Sequence, residues 1–125
     1  MGTSGMPHRV ARAVGDYGEQ VACAHLTDAG LEVLERNWRC DQGELDIVAR
    51  DGDTLVFCEV KTRRSDRFGS PLEAVTRAKA ARLRRLALCW VREHGIPARS
   101  LRIDVIAVRL AGSGPARVDH LRGVA

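Results

Sequence analysis

Asp46 is followed, after twelve residues, by Glu59-Val60-Lys61. Two carboxylates held close together repel each other and are tolerated when a cation lies between them. Oxygen ligands without a His or Cys cluster favour a hard ion, Mg2+ or Mn2+, which keeps part of its water and binds phosphate oxygens. A lysine beside such an ion can orient a water, help to deprotonate it, or hold a phosphate. Cation, water and electrophilic phosphate together make phosphodiester hydrolysis the expected chemistry. An E-x-K tripeptide alone is a weak signal, so its weight depends on the elements that carry it.

Residues 43–61, GELDIVARDGDTLVFCEVK, read as two strands around a turn. Asp51-Gly52 is a hairpin signal, because the turn needs residues that tolerate positive φ. With these two residues as the loop, Arg50 pairs with Asp53, Asp46 lies opposite Phe57, and Glu44 lies opposite Glu59. Side chains alternate along a strand, so Glu44, Asp46, Glu59 and Lys61 share one face. Leu45, Ile47, Val56, Cys58 and Val60 share the other. Asp46 and Glu59 are then diagonal neighbours, within reach of one ion. A one-residue slip would send the acids to opposite faces.

The remaining elements must hold this hairpin. From Val10 to Ala29 the pattern is helical, with Val10, Val14, Tyr17, Val21 and Ala24 as the apolar stripe, Leu26 at its edge, and Gly30 as the stop. Glu19 borders that stripe among small residues: Gly15, Gly18, Ala22 and Cys23. It is either a solvated helix glutamate or a carboxylate pressed against a closely approaching element. Leu31–Arg39 alternates as a first strand, ending at Asn37-Trp38. Thr62–Gly69 is a basic loop, either solvated or a phosphate-contacting edge through Arg63, Arg64 and Arg67. Ser70-Pro71-Leu72-Glu73 has the form of a capping box, and Thr76 offers a second N-cap. The helix that follows runs to Glu93 or His94, with Val75, Leu83, Leu86 and Trp90 buried. Lys79 falls within that buried stripe, so it either snorkels or points to the carboxylate face. Leu101–Leu110 is a Val- and Ile-rich strand interrupted by Asp104, which needs an arginine or backbone partner. Val118–Leu121 is a short edge strand. The order helix, three strands, helix, one or two strands is an α/β domain with a mixed sheet and flanking helices.

A chain of 125 residues fits one domain, spanning residues 9–122, with residues 1–8 as a disordered start or cloning remnant. The net charge of +4 is a weak pointer to nucleic acid. All basic residues except Lys61 and Lys79 are arginine, which suits phosphate and equally suits an Arg-rich genome. Cys23, Cys40, Cys58 and Cys89 lack zinc-ligand spacing, and Cys58 and Cys89 read as buried thiols. Free cysteines with no signal peptide or transmembrane run point to the cytoplasm and to no membrane partner. No motif calls for a small-molecule cofactor.

Asp46 and Glu59-Val60-Lys61 match the D…(D/E)-x-K signature of the restriction-endonuclease-like nuclease superfamily. The wider chain resembles the small bacterial YraN-like proteins, similar in fold to archaeal Holliday-junction resolvases. The residues that carry the resemblance are Gly15, Gly18-Glu19, Asn37-Trp38-Arg39, Gly43–Val48, Val56–Arg63, Phe68-Gly69, Lys79 and Arg102–Val105. They cover nearly the full chain. Leu45 stands where the superfamily often has proline. The resemblance implies a restriction-endonuclease-like αβββαβ core. Asp46 and Glu59 would be metal ligands with the Val60 carbonyl, Lys61 the catalytic lysine, and Glu19 the first-helix acid of resolvase-like nucleases. Glu44 is a secondary candidate, and Lys79 joins Arg63, Arg64 and Arg67 as a contact to nucleic acid. The expected substrate is DNA, branched or damaged, selected by shape. Symmetric cutting of two strands would take a homodimer. A nucleic-acid-binding or accessory protein that keeps the fold without turnover is the alternative, followed by a purely structural charge cluster.

Overall fold

The computed structural model describes residues 8–64, 75–110 and 112–124. The elements run α1 (His8–Asp28), β1 (Glu32–Cys40), β2 (Gly43–Asp51), β3 (Thr54–Arg63), α2 (Arg77–His94), β4 (Ser100–Arg109) and β5 (Arg117–Leu121). The five strands form one mixed sheet in chain order, with β3 and β4 parallel and the other neighbours antiparallel. This bears out the expected α/β class and its αβββαβ core. The capping-box segment Ser70-Pro71-Leu72-Glu73, the Phe68-Gly69 pair and Arg67 lie outside the described residues.

Each face of the sheet carries its own core. Val48, Leu55, Phe57 and Ile103 pack against Leu83, Leu86 and Trp90 of α2. Ile47, Val56, Cys58, Ile106 and Val108 pack against Ala22 and Leu26 of α1. The parallel step from β3 to β4 needs a crossover, and α2 lies within it. Thr76 caps α2 by accepting from Lys79 N–H at 3.1 Å. Gly95 ends it at φ 62°, donating to Val91 O at 2.8 Å. The tryptophans tie α2 to β1: Trp90 Nε1 donates to Glu35 and Trp38 Nε1 donates to Glu93, both at 2.8 Å.

Three expectations need correction. The hairpin loop is Gly52-Asp53 rather than Asp51-Gly52, since Asp51 pairs with Thr54. Gly52 has φ 60° and takes the first central position, as a type II′ turn requires. This moves every cross-strand partner by two residues, a shift that by itself does not swap faces. The second correction is that β1 does not stop at Asn37-Trp38 but pairs on to Cys40↔Gly43. Asn37 adopts φ 54° within it, a left-handed conformation that asparagine tolerates. The third concerns α1, whose buried line is Gly18, Ala22 and Leu26, while Tyr17 is 49% exposed and Val10 36%. The reason is a close approach: a Cβ on Gly18 would overlap Thr62 Oγ1 and lie 2.9 Å from Thr62 Cβ and Cγ2. The small-residue side of the helix must therefore face β3, which turns the larger aliphatic stripe outward.

Asp104, the fully buried acid of β4, has the structural role expected of it. It accepts from Arg102 Nε at 2.9 Å, Arg102 Nη2 at 3.1 Å, Gly123 N at 3.0 Å and His120 Nε2 at 2.7 Å. His120 Nδ1 lies 3.1 Å from His25 Nε2, so the chain of bonds joins β4, β5 and the end of α1.

Gly18→Ala is expected to destabilise the protein by about 1–3 kcal/mol through overpacking, despite alanine's better helix propensity, and Thr62→Ala should recover part of the loss. Asp104→Ala should cost about 3 kcal/mol, because it removes the acceptor of the buried His120 and two of the bonds of the half-buried Arg102. Urea denaturation of each variant checks both values.

Candidate functional site

The hairpin ladder between β2 and β3 ends at Ile47↔Cys58. From there β2 continues with β1 as far as Cys40↔Gly43, and β3 continues with β4 as far as Arg63↔Arg109. The two strands thus diverge and leave a fork. One step past Ile47↔Cys58, the register sets Asp46 level with Glu59, directly across rather than diagonal. Asp46 Oδ2 accepts from Val60 N–H at 2.8 Å, a donor that a regular ladder would have sent toward Leu45. A paired strand residue directs its N–H and C=O to the same neighbour, so the Val60 carbonyl also faces the fork.

Alternation reverses here. Leu45 joins Trp38 in the α2-side core, yet Ile47, two residues on, lies in the α1-side core. Asp46 sits at that reversal, next to Asn37 on β1. The four charged side chains therefore do not line one flat face as expected, and Leu45 does not stay with Ile47. Glu59 and Lys61 face α2, Asp46 projects into the fork, and Glu44 turns to Arg39 at 3.1 Å.

Glu59 Oε2 lies 3.0 Å from Lys61 Nζ and 2.9 Å from Lys79 Nζ. Lys79 thus reaches the carboxylate, the second of its two expected positions. Burial alone would raise the Glu59 pKa, but bonds from Lys79 and Lys61 outweigh it and hold the group below its ordinary value. Burial works against both ammonium groups; the net result holds Lys61 above and Lys79 below the usual lysine value. Asp46 moves the other way. Burial pushes it up to about 7, against the Val60 bond, and the nearby Glu59, Glu19 and Glu44 add to the rise.

Glu19 enters from α1, brought in by the Gly18–Thr62 contact. Burial raises its pKa, opposed by a hydrogen bond from Asn37 and the charge of Arg36. Its Oε1 is buried with no hydrogen-bond partner, and Arg36 Nη2 stands off at 3.7 Å. Arg36 and Asn37 are the parts of the site that sequence reading missed; the only signal was an asparagine, tolerant of left-handed φ, inside an alternating strand. Arg63 is half-buried with Nη1 donating to Thr62 O at 3.1 Å, and Arg64 is exposed at the end of β3.

Among the described residues no three His, Cys, Asp or Glu side chains form a ready-made metal cage. The donors present are nonetheless all oxygen: Asp46, Glu59, the Val60 carbonyl and the orphaned Glu19 Oε1. A hard cation that keeps several waters needs only one or two carboxylates, and it would relieve both the orphan and the mutual repulsion. The residues present fit such an ion. No helix among the described residues is long and apolar enough to cross a membrane. The four cysteines are free; Cys58 is buried and Cys89 only half so.

The Asp46 shift has a sign that can be measured. A folded pKa near 7 against about 3.9 in the unfolded chain means the stabilising contribution is full below pH 4 and lost as pH rises through 7. Asp46→Asn should therefore match wild type near pH 4 and melt higher at pH 8. Mn2+ should raise the wild-type Tm at pH 8 and leave that of Asp46→Asn unchanged. Equal responses to Mn2+ would remove Asp46 from any cation site.

The model of the Uncharacterised protein family UPF0102 matches residues 18–108, a span that includes Glu19, Asp46, Glu59, Lys61 and Lys79. A UPF0102 protein of Beutenbergia cavernae is 64% identical over 116 residues, covering 93% of this chain and 98% of its own. One from Nocardioides sp. is 52% identical over 122 residues, with 98% of each chain covered. One from Streptomyces coelicolor is 57% identical over 115 residues, covering 90% of this chain and 88% of its own. A family match over most of the chain, with relatives of this identity and coverage, leaves one conclusion: the chain belongs to the UPF0102 family, the YraN-like proteins.

Proposed function

We propose that the protein is a divalent-cation-dependent endonuclease that hydrolyses DNA phosphodiesters. One observation carries the reading: the Asp46 carboxylate occupies the fork beside Val60, level with Glu59, whose own carboxylate holds Lys61. The acid, acid and lysine of the D…E-x-K pattern thereby surround an opening in the sheet. Asp46, Glu59 and the Val60 carbonyl would hold Mg2+ or Mn2+, with Glu19 on the α1 side. Such an ion would supply positive charge to the scissile phosphate and would acidify the attacking water.

The chain's own residues do the rest. Glu59 gathers Lys61 and Lys79 on one carboxylate oxygen, which aims two compact donors at the same small volume. Lys61 donates to a phosphate oxygen and supports the charge that develops there. Glu19, with its unpartnered oxygen, would accept a proton. Arg63 and Arg64, at the end of β3, serve as contacts to the flanking phosphates, and the sequence adds Arg67 to them. Among the described residues no separate module reads sequence, so selection rests on DNA shape, as at branches or damage. Two copies would serve symmetric cutting, and the free thiols suit the cytoplasm.

One observation favours the alternative of DNA binding without turnover. Glu59 Oε2 is already neutralised by two ammonium groups, and an incoming cation must displace or share them. A cleavage assay separates the two readings. Supercoiled plasmid and a four-way junction are incubated with Mg2+ or Mn2+ and wild type, Asp46→Ala or Lys61→Ala. The expected result is wild-type cleavage reduced about 100-fold or more in both variants. Equal residual cleavage in all three would mark a contaminant and sink the hydrolase reading. Binding without cleavage on either substrate would leave the accessory role.

A further inference from the structure

The outer face of α2 carries Arg77, Arg82, Arg84, Arg85 and Arg92, and all five are exposed. At 100° per residue they fall within roughly 160° of arc, opposite the buried line of Ala80, Leu83, Leu86, Ala87 and Trp90. They extend along about 22 Å of helix at 1.5 Å per residue. Like charges three or four residues apart on a helix destabilise it, as Arg82 and Arg85 do. Among the described residues none of the five is in an ion pair or a side-chain hydrogen bond. The helix's one acid, Glu93, is engaged by Trp38. A ridge of five uncompensated guanidinium groups on a well-packed helix is the electrostatic complement of a polyanion.

Its position gives the polyanion a class. The first turn of α2 carries Lys79, whose ammonium is 2.9 Å from Glu59, and Arg82 follows it one turn later. Arg82, at the ridge's edge, is thus the one arginine beside the Glu59–Lys61–Lys79 cluster, while the other four face away from the sheet. We infer that the exposed arginine face of α2 is a docking surface for the backbone of double-stranded DNA, with Arg82 as its edge toward the candidate site. This deepens the hydrolase reading and rests on it for the identity of the polyanion. Arginine contacts to phosphate oxygens carry no sequence information, so a contact to the duplex backbone is independent of sequence. A duplex concentrates charge along its axis more densely than a single strand, so it responds more steeply to salt for the same number of contacts.

The test is binding in EDTA, which removes any cleavage. Fluorescence anisotropy measures a labelled random duplex between about 50 and 200 mM salt, the range over which phosphate contacts dominate. Three proteins are compared: wild type, the triple Arg82→Gln/Arg84→Gln/Arg85→Gln, and a control of equal charge, Arg99→Gln/Arg117→Gln/Arg122→Gln. These positions are exposed in both sets, and circular dichroism checks that both variants are folded. The ridge variant should bind at least tenfold more weakly at low salt, and its log–log salt slope should fall by about 3, near one per contact. The control should bind like wild type. Equal weakening in both variants would reduce the effect to net charge and overturn the inference. Unchanged binding by the ridge variant would overturn it too, as would capture of anionic lipid vesicles in preference to duplex. The two proposals fail separately. Ridge-dependent binding with no Asp46-dependent cleavage leaves the ridge and removes the hydrolase. Asp46-dependent cleavage with unaltered binding by the ridge variant does the reverse.

Discussion

A single hydrogen bond, from Val60 N–H to the Asp46 carboxylate, replaces a rung of the hairpin ladder. Backbone donors in a sheet must be satisfied, so two strands can part only where something takes up the freed groups. Asp46 does so, and it carries a charge into the gap. Beyond it β2 belongs to β1, and β3 belongs to β4. The reversal that sends Leu45 to one core and Ile47 to the other follows from the same departure. Replacing the carboxylate would remove both the acceptor and the charge from this fork.

The helices supply its walls by different means. α1 approaches through absence of bulk: Gly18 lets the helix settle on Thr62 and brings Glu19 within the field of Asp46. α2 is placed by its ends and its tryptophans: the Thr76 cap, the Gly95 stop, and the indole bonds to and from the β1 side. The outcome is a site with two unlike carboxylates. Burial and neighbouring acids lift Asp46, while two lysines depress Glu59. Two adjacent carboxylates thus sit in opposed environments, one kept protonated more readily and the other held ionised by its lysines.

Much of this was legible in the sequence. Glycines at 30 and 95 ended helices where their freedom at positive φ was needed, and Thr76 was the N-cap that the second start signal implied. Lys79, too charged for its stripe, reached the acid it required, and Asp104 found an arginine and a backbone donor. The register was misread because Asp51-Gly52 and Gly52-Asp53 are both acceptable loops, and only the turn type decides between them. The α1 stripe was misread because apolar periodicity reports what could be buried. Closest approach, set by a glycine against Thr62, decided what was. The fork itself had no local signal, since it arises from one side chain competing with backbone for a donor.

The sheet's strand order has a consequence for assembly. Strands β1, β2 and β3 are consecutive in sequence and adjacent in space, so short-range pairing alone draws the acidic side chains together. Lys61 compensates Glu59 from within β3, but the second ammonium, Lys79, arrives only with the crossover that makes β3 and β4 parallel. Contacts of greater sequence separation close more slowly. The meander is accordingly an electrostatically incomplete object until α2 docks, and the attraction between Glu59 and Lys79 favours the crossover that completes the sheet.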